Sequence, residues 1–300
     1  MLLKELRDWG GKELTAAGIE SARLDADILL GEALGFSKIE VLTKSSFDLA
    51  LLSECEGAIQ RYRTWILRRA AFEPVAYIIG RKDFYEHELL VSPAVLIPRP
   101  ETEQLVEKAL ECLGEQLPAS DVLLVDVGTG SGAIVLSVVS AALARWPSLA
   151  PSRLAAVGID FSPAALEVAK RNRSRLNLEQ MVQLVRGDLL DGLRESGRAG
   201  RFTLICANLP YIPDDEPLPA SVEQYEPKLA LRAGVRGMDL MNRLLDQVFS
   251  EKPFEKGRLL MELGRGQDLE VNSRLFALGQ PAALFYPDLQ GIHRIADVTF

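Results

Sequence analysis

Hydrophobic positions along the chain change their spacing near residue 75. Up to that point Leu2, Leu3, Leu6 and Trp9, then Leu24, Ile28 and Leu29, then Ile59, Tyr62 and Ile66 recur at the spacing of one helix face, without the alternation of a strand. They predict a small all-α domain over residues 1–75. Between residues 76 and 100, Phe84 to Val91 followed by Val95, Leu96 and Ile97 predict a linker built on a β-hairpin. From residue 101 to 300, short apolar runs alternate with helical stretches, which is the pattern of a parallel sheet with helices on its faces.

Within that second region Val122 to Val127 reads as a buried strand that runs into Gly128-Thr129-Gly130-Ser131-Gly132, followed by the apolar helical segment Ala133 to Ala144. Ala155 to Asp160, Val182 to Asp188 and Phe202 to Ala207 are the next strand segments. Ala282 to Tyr286 and Ile295 to Phe300 are expected as a reversed pair closing the sheet. Pro100, Glu101 and Glu103 form a good helix start ahead of Leu105, Val106, Ala109, Leu110 and Leu113. Open parallel sheets bind ligands at the carboxyl ends of their strands, so Asp126, Asp160, Asp188 and Asn208 are expected to converge.

The chemistry of those ends is specific. A strand, a glycine turn and a helix form a nucleotide-type corner, where glycines let the backbone approach a ligand. Gly128, Gly130 and Ala133 also satisfy the dinucleotide fingerprint, but Asp160 comes later than the acidic residue expected about 20 positions on. Asp160 can accept from ribose hydroxyls in either kind of site, and helix capping around Ser162-Pro163 is its alternative role. The tetrad Asn208-Leu209-Pro210-Tyr211 offers an amide oxygen, a proline without a backbone donor and an aromatic face. That set suits a planar amide or exocyclic amine, and a simple turn is the competing reading of Asn-X-Pro.

Taken together, the chain resembles the protein-(glutamine-N5) methyltransferases of peptide chain release factors, the PrmC/HemK family. The likeness runs through Glu73-Pro74-Val75-Ala76-Tyr77-Ile78-Ile79-Gly80, Leu96-Ile97-Pro98-Arg99-Pro100-Glu101-Thr102-Glu103, Asp126 to Gly132 and the tetrad. It continues in Tyr225-Glu226-Pro227, Ala230-Leu231, Glu262-Leu263-Gly264 and Asp288 to Arg294. The resemblance implies an α/β, Rossmann-like class I S-adenosylmethionine-dependent methyltransferase with a seven-stranded, mostly parallel sheet. It also implies methyl transfer to the side-chain amide N5 of the glutamine in the Gly-Gly-Gln motif of class I release factors, in support of translation termination. By the same resemblance Asp126, Val127, Gly128, Thr129 and Gly130 hold the methionine part of S-adenosylmethionine, Asp160 the ribose, and Asp188 and Leu189 the adenine. Asn208 touches both ligands, the tetrad Asn208, Leu209, Pro210 and Tyr211 carries the transfer, S-adenosylhomocysteine is the product, and the helical domain helps dock the protein substrate. Leu209 departs from the family's usual proline; the carbonyl is kept, and some rigidity is lost.

Asn-Leu-Pro-Tyr also resembles the tetrad of ribosomal RNA adenine dimethyltransferases. Charge counts against RNA, because 34 Lys+Arg against 42 Asp+Glu leave a net charge of −8. A local basic patch of Arg61, Arg63, Arg68, Arg69, Arg81 and Lys82 reads as a solvated helix face or a landing site for an acidic partner. A hydrophobic content of 48% in 300 residues allows two cores. Three scattered cysteines, Cys55, Cys112 and Cys206, and two histidines, His87 and His293, indicate neither a disulfide framework nor a metal site. The amino terminus is charged too early for a secretory signal, and the run from Ala133 to Ala144 is too short for a bilayer. A cytoplasmic monomer without membrane or direct nucleic-acid contact is therefore expected. An RNA adenine-N6 methyltransferase, a nicotinamide-dependent oxidoreductase and a non-catalytic adaptor are the competing readings.

Overall fold

The computed structural model describes residues 1–51, 55–193, 201–251 and 254–300. They form two compact units, one of Met1–Arg81 with Leu218–Tyr225, the other of Lys82–Pro217 with Glu226–Phe300.

The first unit is helical: α1 (Leu3–Ala16), α2 (Ala22–Leu34), α3 (Lys38–Thr43), α4 (Cys55–Ala70) and α5 (Val75–Ile79). Ser37 and Glu40 cap α3 reciprocally, satisfying backbone donors that a helix start leaves unpaired. Leu3, Leu6, Leu14, Leu29, Leu30, Tyr62 and Ile66 fill the core. Gly10 permits the close approach of α1 and α4, since a Cβ there would stand 1.9 Å from the Tyr62 hydroxyl. The face of α2 differs from expectation: Leu24 and Ile28 are exposed, and Ala22, Ala26, Leu29, Leu30 and Ala33 are buried instead. Small residues let α2 lie close to its neighbours, so alanines occupy the buried stripe. The arginine face is solvated, yet most of its cations also have a partner. Arg61 donates to the Ala33 carbonyl at 2.6 Å, Arg68 pairs with Glu73, Arg69 with Asp25 at 2.8 Å and Arg81 with Glu32, while Arg63 lies over Trp9. Four of the six cations thus have a partner within the unit, while Arg61 and Arg63 stay exposed and the Arg68 and Arg81 side chains are 39% and 40% exposed, so the face remains solvated.

In the second unit the sheets and helices follow in order as β1 (Arg81–Phe84), β2 (His87–Leu90), α6 (Glu103–Gln116), β3 (Val122–Val127), α7 (Ala133–Arg145), β4 (Leu154–Asp160), α8 (Pro163–Arg175), β5 (Val182–Arg186) and β6 (Phe202–Ala207). The short α9 (Ala220–Tyr225) lies in the residues that group with the first unit. Then come α10 (Asp239–Asp246), β7 (Gly257–Glu262), α11 (Asp268–Ala277), β8 (Leu284–Pro287) and β9 (His293–Thr299). Strands β1 and β2 make a two-stranded sheet, and residues 95–97 form no strand, so the hairpin falls earlier than its apolar residues suggest. Its turn at Tyr85-Glu86 has Tyr85 at φ 55°, a conformation that apolar spacing does not reveal. A 3₁₀ turn, Pro100–Thr102, precedes α6, and Leu105, Val106, Ala109, Leu110 and Leu113 are buried as their spacing predicts.

The main sheet has seven strands in the order β5-β4-β3-β6-β7-β9-β8. Pairing is parallel from β5 through β7, and β9 runs antiparallel to both β7 and β8, the expected reversed closure. Every residue of β3 and β6 is buried, which explains why these strands read as unbroken apolar runs. Side chains alternate between two cores, Val122 and Leu124 entering one, Leu123, Val125 and Val127 the other. Among the described residues no helix is long and apolar enough to cross a membrane.

Candidate functional site

The carboxyl ends of β3, β4 and β6, with the loop after β5, open onto a cavity of about 380 Å³. Val127, Gly128, Thr129, Gly130, Asp160, Asp188, Leu189, Asn208, Leu209 and Pro210 all line it. Asp126 and Tyr211 do not stand among the lining residues.

The glycine turn is shaped by three left-handed residues, Gly128 at φ 73°, Gly130 at φ 55° and Gly132 at φ 85°. A Cβ on Gly128 would come within 3.1 Å of Leu209 Cδ2, so the turn and the tetrad touch there. Gly128 N and Thr129 N both donate to the Ile159 carbonyl, at 2.9 and 2.8 Å, which fastens the turn to β4. Asp126 lies fully buried beneath it. Its Oδ2 accepts from Thr129 Oγ1 at 2.6 Å and from Val135 N at 3.2 Å, while Oδ1 has no partner among the described residues. Burial pushes its pKa up to about 7, against the opposing pull of those two bonds.

Asp160 holds the turn from the other side. Its Oδ2 accepts from Gly130 N and its Oδ1 from Ser162 N, both at 2.8 Å. Burial raises its pKa and the two backbone donors oppose that rise. Helix capping falls to Ser162, whose Oγ accepts from Ala165 N at the start of α8. Each Asp160 oxygen keeps a lone pair for a further donor. Asp188 pairs with Arg243 of α10 at 2.8 Å, and Leu189 takes a left-handed φ of 51°.

At the tetrad, Asn208 Nδ2 donates to Thr102 Oγ1 at 2.9 Å. Among the described residues its Oδ1 has no internal donor, so the acceptor end of the amide is free for a ligand. Tyr211 is held behind the tetrad: its carbonyl accepts from Gln267 Nε2 at 2.9 Å. Burial, then the Glu262 charge, pushes the Tyr211 pKa up to about 12, so the phenol stays neutral. Arg99 lines the cavity and pairs with the buried Glu226 at 2.5 Å; Glu226 also accepts from Ile97 N at 3.1 Å. The Glu226 position therefore ties down residues 97–99.

Several of these residues carried no signal in the sequence reading. Thr102 and Glu226 were visible only as parts of family segments, and Arg243 was unmarked on an amphipathic helix. Asn172 was equally silent; buried on α8, it accepts from Leu90 N at 2.7 Å and donates to the Leu90 and Ser131 carbonyls at 3.0 and 2.9 Å. Among the described residues no cluster of three His, Cys, Asp or Glu side chains is placed to hold a metal ion.

A seven-stranded sheet of this order, with a glycine turn after its central strand and acidic residues at the next two strand ends, is that of a class I methyltransferase. The hMettl16 catalytic domain, solved with the MAT2A 3'UTR hairpin 6, shares the fold at a TM-score of 0.51 and 16% identity, over 80% of this chain and 81% of that one. A methyltransferase-domain family model matches residues 119–252, and the PrmC N-terminal domain model matches residues 5–80. The release factor glutamine methyltransferase of Rhodopirellula baltica is 38% identical over 263 residues, 86% of this chain and 82% of that protein. Its counterpart from Koribacter versatilis is 36% identical over 300 residues, 98% of this chain and 97% of that protein. The chain belongs to the release factor glutamine methyltransferase family.

Proposed function

We propose that this protein transfers a methyl group from S-adenosylmethionine to the side-chain amide N5 of the glutamine in the Gly-Gly-Gln motif of class I peptide chain release factors, acting as a cytoplasmic monomer without nucleic acid. The observation that carries it is the Asn208 amide, fixed by Thr102 at the mouth of the glycine turn with its oxygen unpaired among the described residues. The net charge of −8 supports a protein substrate over an RNA.

The cavity suits the methyl donor in size and in donor set. A volume of about 380 Å³ falls in the range of small-molecule sites. Gly128 and Gly130 leave backbone room for the methionine part, the spare lone pairs of Asp160 suit ribose hydroxyls, and Asp188 with Leu189 suits an adenine. Val127 and Thr129 complete that wall. When bound, S-adenosylmethionine supplies a methyl group on a sulfonium and leaves as S-adenosylhomocysteine.

The chain's own residues solve a different problem. An amide nitrogen is a poor nucleophile because its lone pair is delocalised into the carbonyl. Asn208 Oδ1 and the Leu209 carbonyl accept the two amide N–H groups, which directs electron density to nitrogen and holds it in place. Any residue at position 209 supplies that carbonyl. Pro210 has no N–H to compete for the substrate oxygen, and Tyr211 supports the tetrad from behind. The proton leaves once the nitrogen has become cationic and strongly acidic, so no strong base is needed. Incubation with radiolabelled S-adenosylmethionine and intact release factor should place label on the factor and none on a Gln→Ala variant of its Gly-Gly-Gln motif. Equal label on both would overturn the assignment.

A further inference from the structure

Arg99 lines the cavity, and the transfer at the tetrad gives it no task. Its Nη2 donates to Glu226 Oε1 at 2.5 Å, and Glu226 Oε2 accepts from Ile97 N at 3.1 Å. The Glu226 side chain is 1% exposed and that of Arg99 33%, so a buried carboxylate holds in place a guanidinium that still reaches the open space. Glu226 takes one N–H of Nη2, and among the described residues Nε and Nη1 have no partner. A fixed guanidinium with unspent donors is suited to an anion, above all a carboxylate.

The wall can be followed from Arg99 to the glycine turn. The Arg99 carbonyl accepts from Thr102 N at 3.1 Å, Thr102 Oγ1 accepts from Asn208 Nδ2 at 2.9 Å, and a Cβ on Gly128 would stand 3.9 Å from the Asn208 carbonyl oxygen. Arg99 thus belongs to the side of the cavity formed by β6 and the turn after β3. The other cation in the lining, Arg243, is paired with Asp188 in the loop after β5, and β5 stands three strands from β6. Of the two ligands in the proposed reaction, a glutamine flanked by glycines carries no charge. S-adenosylmethionine carries one anion, the α-carboxylate of its methionine part, and the glycine turn is where that part is assigned. We propose that Arg99 binds this α-carboxylate with the N–H groups that Glu226 leaves open. The inference rests on the reading of the cavity as the methyl-donor site.

Calorimetry on the whole chain should compare S-adenosylhomocysteine with its decarboxylated form, which keeps the adenosine, the thioether and the amino group. Wild type should prefer the first ligand about 10- to 100-fold, the scale of a hydrogen bond between charged groups. Arg99→Met should erase that preference by weakening S-adenosylhomocysteine alone. Unchanged affinity for the decarboxylated ligand reports at the same time that the variant is folded. Because Arg99→Met leaves Glu226 buried without its cation, the Arg99→Met/Glu226→Met double variant is measured alongside; it removes both charges and should show the same selective loss. Equal losses for both ligands, or a preference that survives in the variants, would overturn the proposal. Wild type that binds the two ligands equally refutes the role of Arg99 and leaves the donor site standing, whereas wild type that binds neither removes the donor site and the proposal with it.

Discussion

Two aspartates illustrate how one residue type divides into different tasks at a single corner. Asp160 reaches the cavity wall and holds Gly130 N and Ser162 N, so its loss removes both a carboxylate from the cavity and a support of the turn. Asp160→Ala should abolish cofactor binding measured by calorimetry, and unchanged affinity would refute the ribose assignment. Asp126 is buried under the turn, with a pKa pushed up to about 7 by that burial. A carboxyl whose folded pKa lies above its ordinary value near 3.8 favours the folded state fully only at low pH, and that contribution is lost as pH rises toward 7. Asp126→Asn keeps an oxygen for Thr129 and Val135 and removes the titration. Thermal melts should therefore show a smaller loss of stability between about pH 4 and pH 7 in the variant than in wild type. Equal slopes would show that Asp126 does not carry the effect.

Among the elements, α8 does more than cover a sheet face. Asn172 on its buried side joins β2 through Leu90 and the glycine turn through Ser131, so one side chain aligns a helix, a hairpin and the site. Asn172→Leu leaves the Leu90 N–H and two carbonyls without partners and should cost about 2–4 kcal/mol. Urea unfolding should show the midpoint falling with an unchanged slope. A cost within the range of a surface substitution would show that water replaces the lost bonds freely. The π-helical residues Gln247–Glu251 after α10 serve the same end by placing Gln247, which donates to Asp191 and accepts from Leu190 N in the loop after β5.

For the molecule as a whole, the division into two units separates tasks. Every residue lining the cavity belongs to the second unit, and the first has its own core around Leu29, Leu30, Tyr62 and Ile66. A ligand stabilises what binds it, by about 2.7 kcal/mol at a hundredfold excess over its dissociation constant. Hydrogen exchange with and without S-adenosylmethionine should show gains in protection within residues 82–217 and 226–300, and none in α1 to α4. Comparable gains in the first unit would show that the units open together. Residues 218–225 add a further expectation, since they follow the tetrad in sequence yet group with the first unit.

Much of this was present in the order of residues. Helical spacing before residue 75 marked helices, though not the unit they belong to, which runs to Arg81 and includes Leu218–Tyr225. Unbroken apolar runs at 122–127 and 202–207 marked central strands, because a strand buried on both faces has no polar side to alternate. Gly128, Gly130 and the strand-end residues Asp160, Asp188 and Asn208 were legible because a parallel sheet delivers its carboxyl ends to one edge. Tertiary structure decided the rest. Whether an aspartate faces the cavity or supports a turn from beneath depends on depth, which separates Asp160 from Asp126 and has no periodic signature. Whether an arginine is free depends on distant carboxylates, as Arg69 shows with Asp25, 44 residues away. The bond joining Asn208 to Thr102 spans 106 positions. Local pattern records the spacing along one element, whereas the direction of a hydrogen bond between elements exists only once the chain has folded.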